Sequence, residues 1–427
     1  MQIRFANPTR RWLFFLGVLL IAGTLAILGG KNGLAELYGR SSQADDWLRA
    51  AQLEPSNAEH WYRLARYRQL DVGNADPALA ISYYRRALAI DPRSAFYWLD
   101  LASAYELQGD VAQAAQAYET AKSVHPISAE VAWRYGNFLM RQGNLAPAYA
   151  EIHRAVLTDH RLAALAISRC WRAEPNIERI LNEVLPAESD VYVQALDFVV
   201  AEKETDAALV VWKRLMAVHA SYPLFRSFAL LDELIAQKPI EEASAVWKEA
   251  LAMSGTRAQY SPPSLVWDGG FETDFTDGGF GWRHRGSEGT SFDFDTETRR
   301  SGVRSLRVTF DGSENIRFEN LWQRVPVEPN THYHFAAYLR TQEISTDSGM
   351  RFRLAFSEMP ALLTPNEIGT HPWTREELDF TTGPQTRLLL ISLLRWSGQK
   401  FDNKLRGTVW VDDVSLVPLA PESSPAQ

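Results

Sequence analysis

The chain has 427 residues, enough for two or three domains. A hydrophobic share of 46% and a charged share of 22% exclude both a wholly disordered chain and a multi-span membrane protein. The formal net charge of −8 argues against nucleic acid as a partner, and the single cysteine, Cys170, excludes an intramolecular disulfide and a Cys-rich zinc site.

Residues 12–30 (WLFFLGVLLIAGTLAILGG) carry no charge. As a helix this run spans ~28 Å, about the thickness of a bilayer's hydrocarbon core. Arg4, Arg10 and Arg11 precede it; Lys31 and Arg40 follow, with Glu36 between them. The basic excess lies on the N-terminal side, which the positive-inside rule places in the cytoplasm. The expectation is a single-pass anchor at 12–30 in the inner membrane. Residues 1–11 then form a basic cytoplasmic tail, and the bulk of the chain is periplasmic. A cleaved signal peptide is the alternative, but no convincing small-x-small cleavage site supports it.

Residues 41–252 repeat. Pro55, Pro92 and Pro126 close the segments LEP, IDP and VHP, and His160 of TDH falls where the next would stand. The gaps are 37, 34 and 34 residues. Trp98, Leu101, Ala102, Tyr105, Gly109, Ala114, Tyr118 and Ala121 fill positions matched one unit earlier by Trp61, Leu64, Ala65, Ala80, Tyr84 and Ala87. Three extra residues in the turn near LDVGNAD keep the register. Gly136, Gly143, Ala148 and Ala155 continue the pattern. This resembles the tetratricopeptide repeat, a 34-residue helix–turn–helix unit. The match fades after residue 160, although Trp212 and Trp247 lie 35 apart in helical patterns. QADDWLRAAQLEP reads as a half unit in front.

The resemblance implies an all-α superhelical solenoid over 41–252, with small residues where helices approach closely and large ones filling the gaps. It also implies a protein or peptide partner on the concave face. By phase, Tyr62, Arg66, Phe96, Trp133, Asn137 and Arg141 point there. Trp133, Asn137 and Arg141, at i, i+4 and i+8, form one helical stripe.

Residues 253–263 (MSGTRAQYSPP) break the helical pattern and read as a linker. From Ser264 onward SFDFDTE, RSLRVTF, HYHFAAYLR, RFRLAF, RLLLISLL and TVWVDDVSL alternate with period two, between Gly-rich turns. The opening DGGFETDFTDGGFGW and the closing GTVWVDDVSLVP resemble carbohydrate-binding modules of the family 4/9 type. That implies an all-β jelly-roll sandwich over 264–418, followed by a disordered tail at 419–427. The family often holds a structural calcium between the opening Glu and the Asp of the closing strand, here Glu272 and Asp412; hydrogen bonds to backbone are the other role open to this pair. For glycan, aromatic platforms with polar neighbours are needed. The candidates are Trp322, Tyr333, Tyr338, Trp373 and Trp396, with Gln323, Arg340 and Arg395 as hydrogen-bonding partners.

No nucleophile elbow, phosphate loop, HExxH or Cys–His pair occurs, so the expected protein is not an enzyme and requires no cofactor. The reading is a membrane-anchored scaffold in surface-polysaccharide or exopolysaccharide assembly or export. Its solenoid binds protein and its jelly roll binds polysaccharide. Two alternatives remain: a purely protein–protein assembly factor of the envelope, and a polysaccharide-acting enzyme with an unrecognised site.

Overall fold

The computed structural model describes residues 8–41, 43–71, 73, 75–218, 222–237, 239–255, 259–401 and 403–419. Most of the expected N-terminal tail (1–7) and nearly all of the expected C-terminal tail (420–427) lie outside them. Contacts divide the chain into two compact units, Met1–Ala195 and Leu196–Gln427.

The first unit opens with α1 (Pro8–Gly39), 32 residues long. Its stretch Arg11–Gly39 is long and apolar enough to cross a membrane. Apolar side chains along it stand bare, Trp12 being 74% and Leu25 63% exposed. The helix runs past the apolar segment, and its end packs on the repeats. Ala35 is fully buried, and Arg63 Nη1 donates to the Gly39 carbonyl at 2.7 Å.

Ten helices follow: α2 (Ala44–Leu53), α3 (Ala58–Leu70), α4 (Pro77–Ile90), α5 (Ala95–Gln108), α6 (Val111–Val124), α7 (Ala129–Arg141), α8 (Leu145–Thr158), α9 (Ala163–Ala173), α10 (Ile177–Glu183) and α11 (Ser189–Ala201). Local chemistry sets their ends. Asp76 and Asp110 cap α4 and α6 by accepting from the amides of Leu79 and Gln113. Gly109, at φ 83°, ends α5 in the left-handed conformation that a side chain disfavours.

The repeat is physical as well as sequential. Ala80, Ala114 and Ala148 have no exposed surface, and neither do Ala87, Ala121 and Ala155. Tyr84, Tyr118 and Ile152, on the same 34-residue spacing, are at most 2% exposed. Small residues let the two helices of a pair close up, and the large one fills the space between pairs. The tryptophans of the early units share one hydrogen bond. Trp47, Trp61 and Trp98 each donate to the carbonyl six residues earlier, Ser41, Pro55 and Pro92, at 2.6–3.0 Å. This is the helix-pair packing of a tetratricopeptide-like fold. Where the sequence match fades the helices shorten, α10 having seven residues.

The second unit contains α12 (Thr205–Ala217), α13 (Phe228–Gln237), α14 (Ile240–Ser254) and ten strands. The strands are β1 (Arg283–His284), β2 (Thr290–Asp295), β3 (Ser305–Asp311), β4 (Phe318–Pro326), β5 (His332–Ile344), β6 (Arg351–Ala355), β7 (Leu362–Leu363), β8 (Gly369–Thr381), β9 (Leu388–Arg395) and β10 (Arg406–Pro418). They form two five-stranded antiparallel sheets, ordered β1-β4-β9-β6-β7 and β2-β3-β10-β5-β8. Alternate residues of both sheets face one apolar core, among them Leu306, Val308, Leu321, Phe335, Phe352, Ile391 and Val411.

Helices and sandwich belong to the same unit because the Gly-rich loop at 277–281 meets helix side chains. A Cβ on Gly278 would lie 2.1 Å from the Phe228 ring, and one on Gly279 would lie 2.5 Å from Trp247. Trp247 packs edge-to-face on Trp267 at 5.3 Å and on Phe280 at 6.2 Å. The division between compact units thus falls inside α11. The segment 253–263, expected as a linker, lies within the second unit, with 256–258 outside the described residues.

Candidate binding sites

In the first unit, α5, α6, α7 and α9 line an open cavity of about 440 Å³. Trp133, Asn137 and Arg141, the stripe on α7, all line it, with Ser103 and Leu107 of α5 standing 34 residues before Asn137 and Arg141. Arg169 lies over the Trp133 ring at 5.5 Å. Glu106 accepts from Tyr118 Oη at 2.6 Å and from Arg141 Nη2 at 2.7 Å, which fixes the polar wall. Burial and the bond to Glu106 raise the Tyr118 hydroxyl well above its ordinary range, so it stays a donor. Asn137 is 7% exposed and donates to the Trp133 carbonyl at 2.7 Å.

The other solenoid candidates are elsewhere. Tyr62 and Arg66 are drawn into an internal network around Asp100, which Tyr62 Oη meets at 2.7 Å, Arg134 at 2.8 Å and Arg66 at 3.8 Å. Phe96 is 57% exposed and does not line the cavity.

In the second unit, the open face of the β1-β4-β9-β6-β7 sheet carries a trough. Period-two alternation puts Leu321, Gln323 and Val325 of β4 inward and Trp322 and Arg324 outward. The register sets Trp322 beside Ser392 of β9, and Ser392 beside Arg353 of β6. A depression of about 520 Å³ is lined by Arg285, Glu319, Asn320, Trp322, Arg324, Arg353, Leu390 and Ser392. A second, of about 390 Å³, continues from it, sharing Arg324 and Leu390. Glu319 Oε1 organises the floor by accepting from Arg353 Nη1 at 2.8 Å and Ser392 Oγ at 2.9 Å. Trp396 lies one residue past the end of β9, beyond Ser392 and Leu394, which are themselves at most 1% exposed. It is 41% exposed, with the Arg351 guanidinium 5.0 Å from its ring centre. It stands four residues beyond Ser392, about 13 Å in extended chain.

Three candidates for glycan contact are corrected by the register. Gln323 is fully buried, and its amide brackets the Trp267 backbone, donating to O at 2.7 Å and accepting from N at 3.1 Å. Tyr333 is 1% exposed, stacks on Phe380 and accepts from the Glu328 amide at 2.8 Å. Arg395 is fully buried and ties loops together through the carbonyls of Ser348, Asn403 and Ile316. Inward strand phase puts the first two against the core, and Arg395 pays its desolvation with backbone acceptors.

Tyr338, Arg340 and Trp373 lie on the other sheet, away from Trp322. There Arg300 covers the Tyr338 ring at 3.5 Å and Arg340 stands 5.6 Å from Trp410, while Trp373 is half-buried on β8. The residues missed by the sequence reading are Arg285, Glu319, Arg324, Arg351, Arg353 and Ser392. The alternation of Arg351 and Arg353 in RFRLAF was the available signal for a shared outer face.

Glu272 and Asp412 come together, a Cβ on Gly270 lying 3.7 Å from one carboxylate and 3.8 Å from the other. Both already serve backbone. Glu272 accepts from the Val303 amide at 3.1 Å, and Asp412 accepts from Arg300, Ser301 and Asp413 amides at 2.8–3.2 Å. Burial pushes the Asp412 carboxyl up to about 6 against the pull of those amides. Among the described residues no three or more His, Cys, Asp or Glu side chains gather as a metal-holding group. As placed, the pair fits a clamp on backbone better than the six to eight oxygens calcium takes.

No protein-family model and no curated protein matches the chain. Solved structures similar to it fall into two groups. One is represented by a family 16 carbohydrate-binding module, 18% identical, covering 36% of this chain and 99% of its own, at a TM-score of 0.27. The other includes pilF of Pseudomonas aeruginosa, 16% identical over 55% of this chain and 95% of its own, at 0.27. It also includes YrrB, described as a tetratricopeptide protein with an unusual peptide-binding site, 13% identical over 50% of this chain and 95% of its own, at 0.26.

Proposed function

We propose that this chain is a membrane-anchored, non-catalytic adaptor in surface-polysaccharide or exopolysaccharide assembly or export. Its first helix holds it in the inner membrane with the N-terminus inside and the bulk outside the cytoplasm. Its repeat array takes a protein segment in the cavity at Trp133 and Arg141. Its β-sandwich takes a glycan along the trough. One observation carries the reading: Trp322, half-buried on an open sheet face, stands among Arg285, Asn320, Arg324 and Arg353, with Trp396 exposed just past the end of the neighbouring strand β9. Aromatic faces desolvate the apolar faces of sugars, and side chains such as Arg353 and Asn320 meet the hydroxyls.

The test is binding of the full chain, in detergent micelles, to a panel of soluble polysaccharides. Trp322→Ala and Trp396→Ala are each expected to weaken binding at least tenfold, equivalent to about 1.4 kcal/mol. Binding that survives both substitutions, or no binding by folded protein, would overturn the glycan part of the proposal.

A further inference from the structure

The glycan reading can be sharpened by charge. The chain as a whole is acidic, at −8, yet the trough is lined by Arg285, Arg324, Arg353 and Arg387, with Glu319 the one carboxylate among its lining residues. Two of these arginines are matched, Arg353 by Glu319 at 2.8 Å and Arg387 by Glu241 at 3.2 Å. The others are not. Among the described residues Arg285 makes no ion pair, and Arg324 has only a 3.7 Å approach to Asp232, whose carboxylate already holds Arg283. Arg351, over Trp396, also makes no ion pair, and its Nε is buried without a hydrogen-bond partner.

Arg285 is exposed, but Arg324 and Arg351 are half-buried, and half-buried charge with a weak or absent counter-charge is costly, because part of the water that would solvate it has been removed. The strain shows in the arginines themselves. Burial and the adjacent Arg283 pull Arg324 below its ordinary range, and burial alone does so for Arg351. Spacing adds a second constraint. Arg351 and Arg353 stand two residues apart on one face of β6, about 6.6 Å in extended chain. Arg324 occupies the next row, since Leu390 joins Arg324 on one side and Ala355 on the other. Cationic groups thus recur row by row along the trough, beside an aromatic at each of two levels.

We infer that the trough binds a carboxylated polysaccharide, with acidic groups on successive sugars meeting Arg285, Arg324 and Arg351 while Trp322 and Trp396 stack on ring faces. This rests on the glycan reading above. Guanidinium and carboxylate form paired, charge-assisted hydrogen bonds, so the ligand supplies what the chain withholds.

The experiment uses full chain in detergent micelles, titrated with alginate, polygalacturonate and hyaluronate, each beside its carboxyl-reduced form of the same linkage. At least one acidic form is expected to bind tenfold or more tightly than its reduced counterpart. Arg285→Gln and Arg324→Gln should each weaken the acidic form at least fivefold and the reduced form by a clearly smaller factor, while Trp322→Ala should weaken both alike. Equal or tighter binding of reduced forms would overturn the inference and leave the glycan reading standing. No binding of either form by folded protein would sink both. Acidic binding that ignores Trp322→Ala is adsorption outside the trough and equally counts against the inference.

Discussion

Among single residues, Glu376 is buried at a cost. It sits in the inward phase of β8, 2% exposed, and its Oε2 has no hydrogen-bond partner. Burial is the main reason that its carboxyl is pushed up to about 7; Thr364 pulls against this and Glu367 adds to it. With the folded value above the ordinary 4.5, the folded state binds more protons than the unfolded state between about pH 4.5 and 7. Stability therefore falls as pH rises through that window, by on the order of 3 kcal/mol in full. Glu376→Gln should flatten this slope, raising the melting temperature by several degrees at pH 8 and little at pH 5. Melts of both proteins at the two pH values check it; an equal difference at both would count against Glu376 as the titrating group. The same strand logic explains what was legible in the site. Trp396, in an apparent turn after its strand, could be read as exposed, but Trp322 and Gln323 could not be told apart, because one residue of slip along a strand reverses the face.

Helix pairs are where sequence and structure agree most closely, because the 34-residue spacing of small and large residues is itself the packing rule. Ala65, Ala102 and Gly136 occupy the same place in successive units. At Gly136 the approach is tightest, since a Cβ would lie 2.7 Å from Ile152 Cγ1 and 3.2 Å from the Ala148 carbonyl. Alanine in a helix is ordinarily worth about 1 kcal/mol over glycine. Here overpacking, at roughly 1–3 kcal/mol, should outweigh that gain. Gly136→Ala is expected to lower the denaturant midpoint, and a raised midpoint would mean that α7 and α8 separate without cost. The cavity stripe was legible for a related reason. Trp61 and Trp98 stand six residues after their prolines and are held by those prolines' carbonyls. In the next unit Ala132 takes the sixth place and Trp133 the seventh, which rotates the indole by about 100° to the cavity side. The short α9 and α10 were not legible, because their pattern no longer follows the repeat.

For the molecule as a whole, the composition shift near 253–263 marks a change of secondary structure and not a change of compact unit. Strand alternation and Gly-rich turns were visible in the sequence. That the glycines at 278 and 279 receive Phe228 and Trp247 was not, since those partners stand some 30–50 residues earlier and follow a different periodicity. The consequence is testable by truncation. A chain beginning at residue 196 keeps α12, α13 and α14, and with them the ion pair of Arg283 with Asp232 and the cluster of Trp247, Trp267 and Phe280. A chain beginning at residue 259 loses Trp247, which makes Trp267 and Phe280 surface residues and leaves Arg283 without its carboxylate. Exposed apolar surface of this kind binds hydrophobic dyes and lowers stability. The longer fragment should therefore unfold in one cooperative transition, and the shorter one should melt at least 5 °C lower with increased dye binding. Equal melting temperatures would show that the sandwich owes nothing to the helices. The sheet carrying the trough borders this same contact through Arg283 and Arg324, which both approach Asp232. Removing the helices should on this ground also change glycan affinity, because Asp232 is the carboxylate that Arg324 approaches at 3.7 Å.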